Sequence, residues 1–118
     1  MTDTSARDRS AWRDELDRLT KNHEGQWVTI ELLDPTLGDL EEAERLPFTY
    51  ATYDPRDDAV IVAVGGRSGR FPVVLRHIVN HPTEVDVSDD GRGLAAMRVV
   101  DADGTATLVS FVPEPALA

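Results

Sequence analysis

Two of the three histidines, His77 and His81, lie four residues apart. On a helix that spacing puts both imidazoles on one face, with Cβ atoms roughly 6 Å apart, the arrangement of a paired zinc ligand. On a strand the same four residues span about 13 Å, too far to share an ion. The secondary structure of Val73 to Asn80 therefore decides whether metal chemistry is available at all. Pro72 suits a helix start and Pro82 a helix end. Against that, Val73, Val74, Ile78 and Val79 are β-branched, and Leu75, His77 and Val79 alternate with Arg76 and Ile78. The segment reads as strand. His81, directly before Pro82, is turned away from the helical region in either case. The expectation is no chelate and no metal, with His77 half-buried and bonded to the backbone, or poised as a pH-sensitive core position.

The second chemical candidate is Gly65 to Arg70, GGRSGR, the one basic patch of an acidic chain. Its glycines let backbone N–H groups converge on an anion, and Arg67 and Arg70 can pair with carboxylate or phosphate. With Arg76 and His77 on the following strand, these four residues form the candidate ligand-binding set. No Gly-Lys-Ser/Thr follows, so the loop is not a phosphate-binding P-loop, and it lacks the spacing and βαβ setting of a dinucleotide site. Asp101-Ala102-Asp103-Gly104 echoes the start of a calcium loop, but the later glutamate is missing and strand residues follow, so a hairpin turn is expected. Ser68 and Ser110 sit in no nucleophile elbow. Carboxylates are too numerous to single out a pair for glycoside chemistry. No catalytic residue is assigned, and a non-enzymatic role without cofactors is the reading.

Composition narrows the rest. The 118 residues allow one domain. Twenty-two acidic against twelve basic side chains give a net charge of −10, which disfavours nucleic acid and anionic membrane as partners and favours solubility. The absence of cysteine excludes disulfides, thiolate nucleophiles and cysteine-ligated metals. Lys21 is the single lysine, so a lysine Schiff base has only that residue to use. The N-terminal residues show no apolar signal region, and no apolar run approaches the ~20 residues of a membrane span. A cytoplasmic location is the default.

Met1 to Arg9 is expected to fray as a flexible N-terminus. Ser10 is a plausible N-cap for a helix on which Trp12, Leu16 and Leu19 form one narrow apolar stripe, ending at Gly25. Gln26 to Leu33 alternates as a strand, with Val28, Ile30 and Leu32 on one face. Asp34-Pro35 ends it. Thr36 to Arg45 reads as a loop with one helical turn at most, since so short a helix is marginal alone. Leu46 to Tyr53 and Ala59 to Val64 form a hairpin around the turn Asp54 to Asp58, and Ala59 to Val64, apolar on both faces, reads as central. Further strands are expected at Val73 to Val79, Thr83 to Ser88, Leu94 to Val100 and Thr105 to Val112, with a C-terminal tail at 113–118. The short gaps demand antiparallel neighbours. The predicted architecture is a mostly β, α+β domain over residues 10–112: one N-terminal helix packed on an antiparallel sheet or small barrel of about six strands.

The order of features resembles a family of small bacterial domains of unknown function. The resemblance rests on the tryptophan-bearing helix, His23-Glu24-Gly25, the strand Val28-Thr29-Ile30-Glu31, Leu37-Gly38, Leu46-Pro47-Phe48, Tyr53-Asp54, Leu75-x-His77, His81-Pro82 and the closing Asp103-Gly104 hairpin. It covers most of residues 12 to 111. Similar chains carry glutamine after the Leu-Gly pair, where this one has Asp39 and Leu40. The resemblance implies a fold and transfers no activity. The functional expectation from the residues is an interaction module that partners itself or another protein, as a homo-oligomer through an open strand edge or an apolar sheet face. The alternative is a small-ligand or anion-binding domain using loop 65–70 and the strand after it.

Overall fold

The computed structural model describes residues 4–65, 73–90 and 94–112. Helix α1 runs Thr4–His23, followed by β1 Trp27–Asp34, β2 Gly38–Asp54, β3 Ala59–Gly65, β4 Val73–Asn80, β5 Pro82–Asp89, β6 Ala95–Asp101 and β7 Ala106–Phe111. All neighbours are antiparallel, and the seven strands are ordered β4-β3-β2-β1-β7-β6-β5. The α+β, mostly β expectation holds, and of the two forms foreseen the sheet is the open one. β4 and β5 stand at its opposite edges although only His81 separates them in sequence. The strands number seven, against about six in the expected architecture.

Two departures concern length. The helix begins at Thr4 rather than Ser10, because Ala6, Arg7 and Arg9 are good helix formers and nothing before Ser10 breaks the helix. The segment Gly38 to Arg45 is strand, not loop. Asp34 Oδ1 accepts from the backbone N–H groups of Thr36 at 2.7 Å and Leu37 at 2.9 Å, folding a turn that returns the chain onto β1. Pairing with β1 then overrides the helical propensity of the glutamates: Leu33 opposes Asp39, Leu32 opposes Leu40 and Glu31 opposes Glu41.

The 17-residue β2 is shared by two layers. Its first half pairs with β1, up to Pro47 opposite Trp27; from Phe48 to Asp54 it pairs with β3. Register shifts on both sides of this point bend the strand. Beyond Pro47 the β1-facing edge of β2 is left to the helix. Thr20 Oγ1 donates to the Ala51 carbonyl at 3.1 Å and accepts from the Ala51 N–H at 3.0 Å. The Gly25 N–H reaches the Phe48 carbonyl at 2.7 Å, and the Phe48 N–H reaches the Gln26 carbonyl at 2.8 Å. The helix thus sits in the fork and satisfies backbone groups that no strand can.

The core lies between the curled sheet and α1. Trp12, Leu16 and Leu19 are buried, as the stripe predicts, against Val28, Ile30, Phe48, Val62, Met97 and Val109. β3 is buried along nearly its whole length, in keeping with its two apolar faces. The two acidic turns fold as expected. Asp54 Oδ1 holds the Arg56 N–H at 2.9 Å, and Asp101 Oδ1 holds Asp103 and Thr105 N–H groups at 2.8 and 3.0 Å. Gly104, at φ +87°, completes a hairpin turn rather than a calcium loop.

Candidate functional site

β4 is a strand, so His77 and His81 do not share a helical face. His77 opposes Val62 on β3 and points into the core, where its Nε2 lies 3.1 Å from the hydroxyl of the buried Thr107 on β7. The sheet is curled enough for an edge strand to touch one from which three other strands separate it in the order. His81 lies past the strand end, mostly exposed, with φ +55°. Among the described residues no group of three or more His, Asp or Glu is placed to hold a metal ion.

Strand alternation also divides the candidate ligand set. Arg76 faces outward, exposed, and its Nε donates to the Tyr50 hydroxyl at 3.2 Å; His77 faces inward. Arg67 and Arg70 lie outside the described residues. Beside the free edge of β4 is a cleft of about 330 Å³ between His77 to His81 and the β6–β7 turn, whose Asp101 and Asp103 share its lining with Leu32.

The densest polar constellation lies where α1, the β2–β3 turn and the β4–β5 corner meet. Tyr53 on β2 donates its hydroxyl to Asp58 Oδ1 at 2.7 Å. Arg9 Nε on α1 reaches the same tyrosine oxygen at 3.2 Å and Asp58 Oδ1 at 3.4 Å. His81 Nδ1 lies 3.3 Å from Asp58 Oδ2, and its backbone N–H donates to the Asp58 carbonyl at 2.8 Å. Trp12 supports the group from below, edge-on to Tyr53 at 5.6 Å and under the Arg9 guanidinium at 5.1 Å. The Tyr53 hydroxyl, with His81 and Arg9 adding to it against the pull of burial, holds the Asp58 carboxyl below its ordinary range. Burial raises the Tyr53 phenol, and the neighbouring carboxylate adds to that. Burial works against the Arg9 charge, but the bonds to Tyr53 and Asp58 outweigh it and raise the guanidinium. Asp58 and His81 are the two non-glycine residues with positive φ among those described, at 50° and 55°. Two strained corners therefore hold each other.

A third cluster fixes the end of α1. His23 is buried, with Nδ1 2.7 Å from Gln26 Oε1, Nε2 2.7 Å from Asp89 Oδ2, and its ring 5.0 Å from that of Phe111. Gln26 in turn donates to the Val112 carbonyl at 3.0 Å. One histidine thereby ties the helix to the β5 edge and to the end of β7.

Sequence reading placed neither Arg9 nor His23 in a site. His23 did carry a signal, since it continues the apolar stripe of Trp12, Leu16 and Leu19 by four more residues. Arg9 carried none, because Tyr53 and Asp58 stand 44 and 49 residues away.

Residues 4–118 match the model of a family of unknown function, DUF5335. The chain belongs to this family. An uncharacterized protein of Aquifex aeolicus (strain VF5) is similar to it, 29% identical over 110 residues that cover 93% of each chain. DUF5335 is thus the family with which the order of motifs agrees, and this relative places a similar chain in a bacterium. No solved structure matches the chain. Among the described residues no helix is long and apolar enough to cross a membrane. For DUF5335 the geometry above is therefore the main guide to function.

Proposed function

We propose that this domain is a non-enzymatic interaction module that associates with a second copy of itself through the free edge of β4. The observation that carries the reading is the contrast between the sheet's two edges. β5 opens with Pro82 and bears exposed Glu84 and Asp86, a guarded edge. β4 bears no acid, and Ile78, in its second half, is 51% exposed. In an antiparallel β4–β4 pairing about a two-fold axis through Ile78, the two isoleucines cover each other. Arg76 of one copy then lies opposite Asn80 of the other, so the pairing sets no like charges against each other. Nucleic acid and membrane are not the partners this reading favours, given the net charge of −10.

Light scattering tests it: the chain runs at twice its 13.0 kDa mass, and Ile78→Lys returns it to a monomer without lowering its melting temperature at low concentration. A wild-type chain that stays monomeric at 100 μM rules the reading out. A second reading, a small-anion site made by Arg67, Arg70, Arg76 and His77, draws support from the exposed Arg76 guanidinium oriented by Tyr50. Replacing Arg67 and Arg70 together tests it, because any stabilisation by a bound anion disappears in that variant.

A further inference from the structure

The Arg9–Tyr53–Asp58 cluster forms one wall of an open cavity of about 460 Å³ between α1 and the β2–β3 turn, lined by Arg9, Ser10, Arg13, Tyr53, Pro55 and Asp58. We infer that this cavity binds a small molecule through a carboxylate or phosphate group held by Arg9, Arg13 and Ser10. This site is separate from the β4 edge and from loop 65–70, and it does not depend on either reading above.

Three observations support it. Arg9 is preorganised: its Nε is committed to Tyr53 and Asp58, and its guanidinium lies over the Trp12 ring. The two terminal nitrogens have no partner among the described residues, and this pair is the fork that grips a planar carboxylate or two phosphate oxygens. A guanidinium fixed in advance loses little entropy when it takes a ligand. Arg13, one helical turn on, lies on the same wall and is exposed, with no ion-pair partner among the described residues. Ser10 lies on the same helix face, three residues before Arg13, and offers a hydroxyl.

The local charge has the required sign. Arg9 and Arg13 against Asp58 leave +1 in the cavity, while the whole chain carries −10. An isolated positive cleft on so acidic a surface selects a small anion and repels a polyanion. Pro55 and the Tyr53 ring add apolar surface, which suits the carbon portion of an organic acid or phosphate ester.

Thermal unfolding and titration calorimetry with acetate, citrate and inorganic phosphate test this, against chloride at matched ionic strength. The wild-type chain shows a saturable rise in melting temperature with at least one of these anions. A response to citrate and acetate alone identifies a carboxylate site, and a response to phosphate alone a phosphate site. Arg13→Ala weakens that binding about ten-fold or more, as expected for loss of a charge-assisted contact, and Arg13→Glu abolishes it. Both variants melt like wild type without anion, because Arg13 is exposed and has no ion-pair partner among the described residues. Ser10→Ala weakens binding by a smaller factor. Absence of any saturable response overturns the inference. So does a response that survives Arg13→Glu, and a response lost on replacing Arg67 and Arg70 instead places the site in the loop.

Discussion

Asp58 joins three elements through one carboxylate, and its replacement separates the bonds that matter from those that only look impressive. Asp58→Ala removes the acceptor from the Tyr53 hydroxyl, whose residue is only 4% exposed. Leaving that donor unpaired costs about 1–3 kcal/mol. The partners Arg9 and His81 have water to fall back on, so their loss adds roughly 0–1 kcal/mol. Alanine at φ +50° adds about 1 kcal/mol that aspartate and asparagine largely avoid. The total is about 3 kcal/mol, roughly a 12 °C fall in melting temperature for a domain of this size. Asp58→Asn keeps an acceptor and the tolerance of positive φ, so it costs about 1 kcal/mol. Urea unfolding of a Tyr53→Phe/Asp58→Ala cycle reads the pair directly, with an expected coupling of about 1–2 kcal/mol. The same carboxyl sets a pH dependence. Its folded pKa lies below its unfolded one, so its stabilisation is full above the ordinary carboxyl range near pH 4. It is lost as pH falls through the lower, folded value. The gap between wild type and Asp58→Asn therefore closes in strong acid. A coupling near zero, or a gap unchanged at pH 2, refutes the reasoning.

Three other perturbations follow from contacts described above. His23→Ala removes both ties of the buried ring and leaves a void against Phe111, costing about 3 kcal/mol in chemical denaturation; near-neutrality would mean the end of α1 is not anchored there. Thr20→Val keeps the shape but strands the N–H and C=O of Ala51, so hydrogen exchange at that amide accelerates and stability falls by about 2 kcal/mol. Gly104→Ala at φ +87° places its methyl at ordinary contact distance from Pro35 Cγ, 3.5 Å, and Gly25→Ala at φ +91° meets open space. Neither clashes, so both lose about 1 kcal/mol to backbone strain alone, and melting curves should show the two variants falling by similar amounts.

Much of this fold is written in local pattern. The stripe of Trp12, Leu16 and Leu19, the two-faced apolar run of β3 and the acidic turns at Asp54 and Asp101 each carry their own physical signal. The strand character of β4 is of the same kind, and it is what separates His77 from His81. The first half of β2 was illegible because its glutamates prefer helix and only pairing with β1 makes them strand. The fork at Pro47 was hidden too, since nothing local says that a helix threonine will take the place of a neighbouring strand. The polar clusters were least visible. Arg9 looked like part of a tail, and Asp58 like one acid among several in a turn; they meet because α1 packs across the bend of β2. Of the candidate ligand set, Arg76 and His77 lie on opposite faces of β4, as strand alternation dictates.

The strand order carries a consequence for synthesis. β1 is central, yet one of its two partners is β7, which follows it by most of the chain. As the nascent polypeptide leaves the ribosome, at about 5–20 residues per second, α1 and the hairpins of β1 to β4 can pair early. Val28 and Ile30 nevertheless keep one flank bare until Ala106–Phe111 emerges. The sheet is completed only once Ala106–Phe111 has left the ribosome, and until then the growing chain presents a half-paired central strand to whatever chaperone or neighbouring chain is nearest.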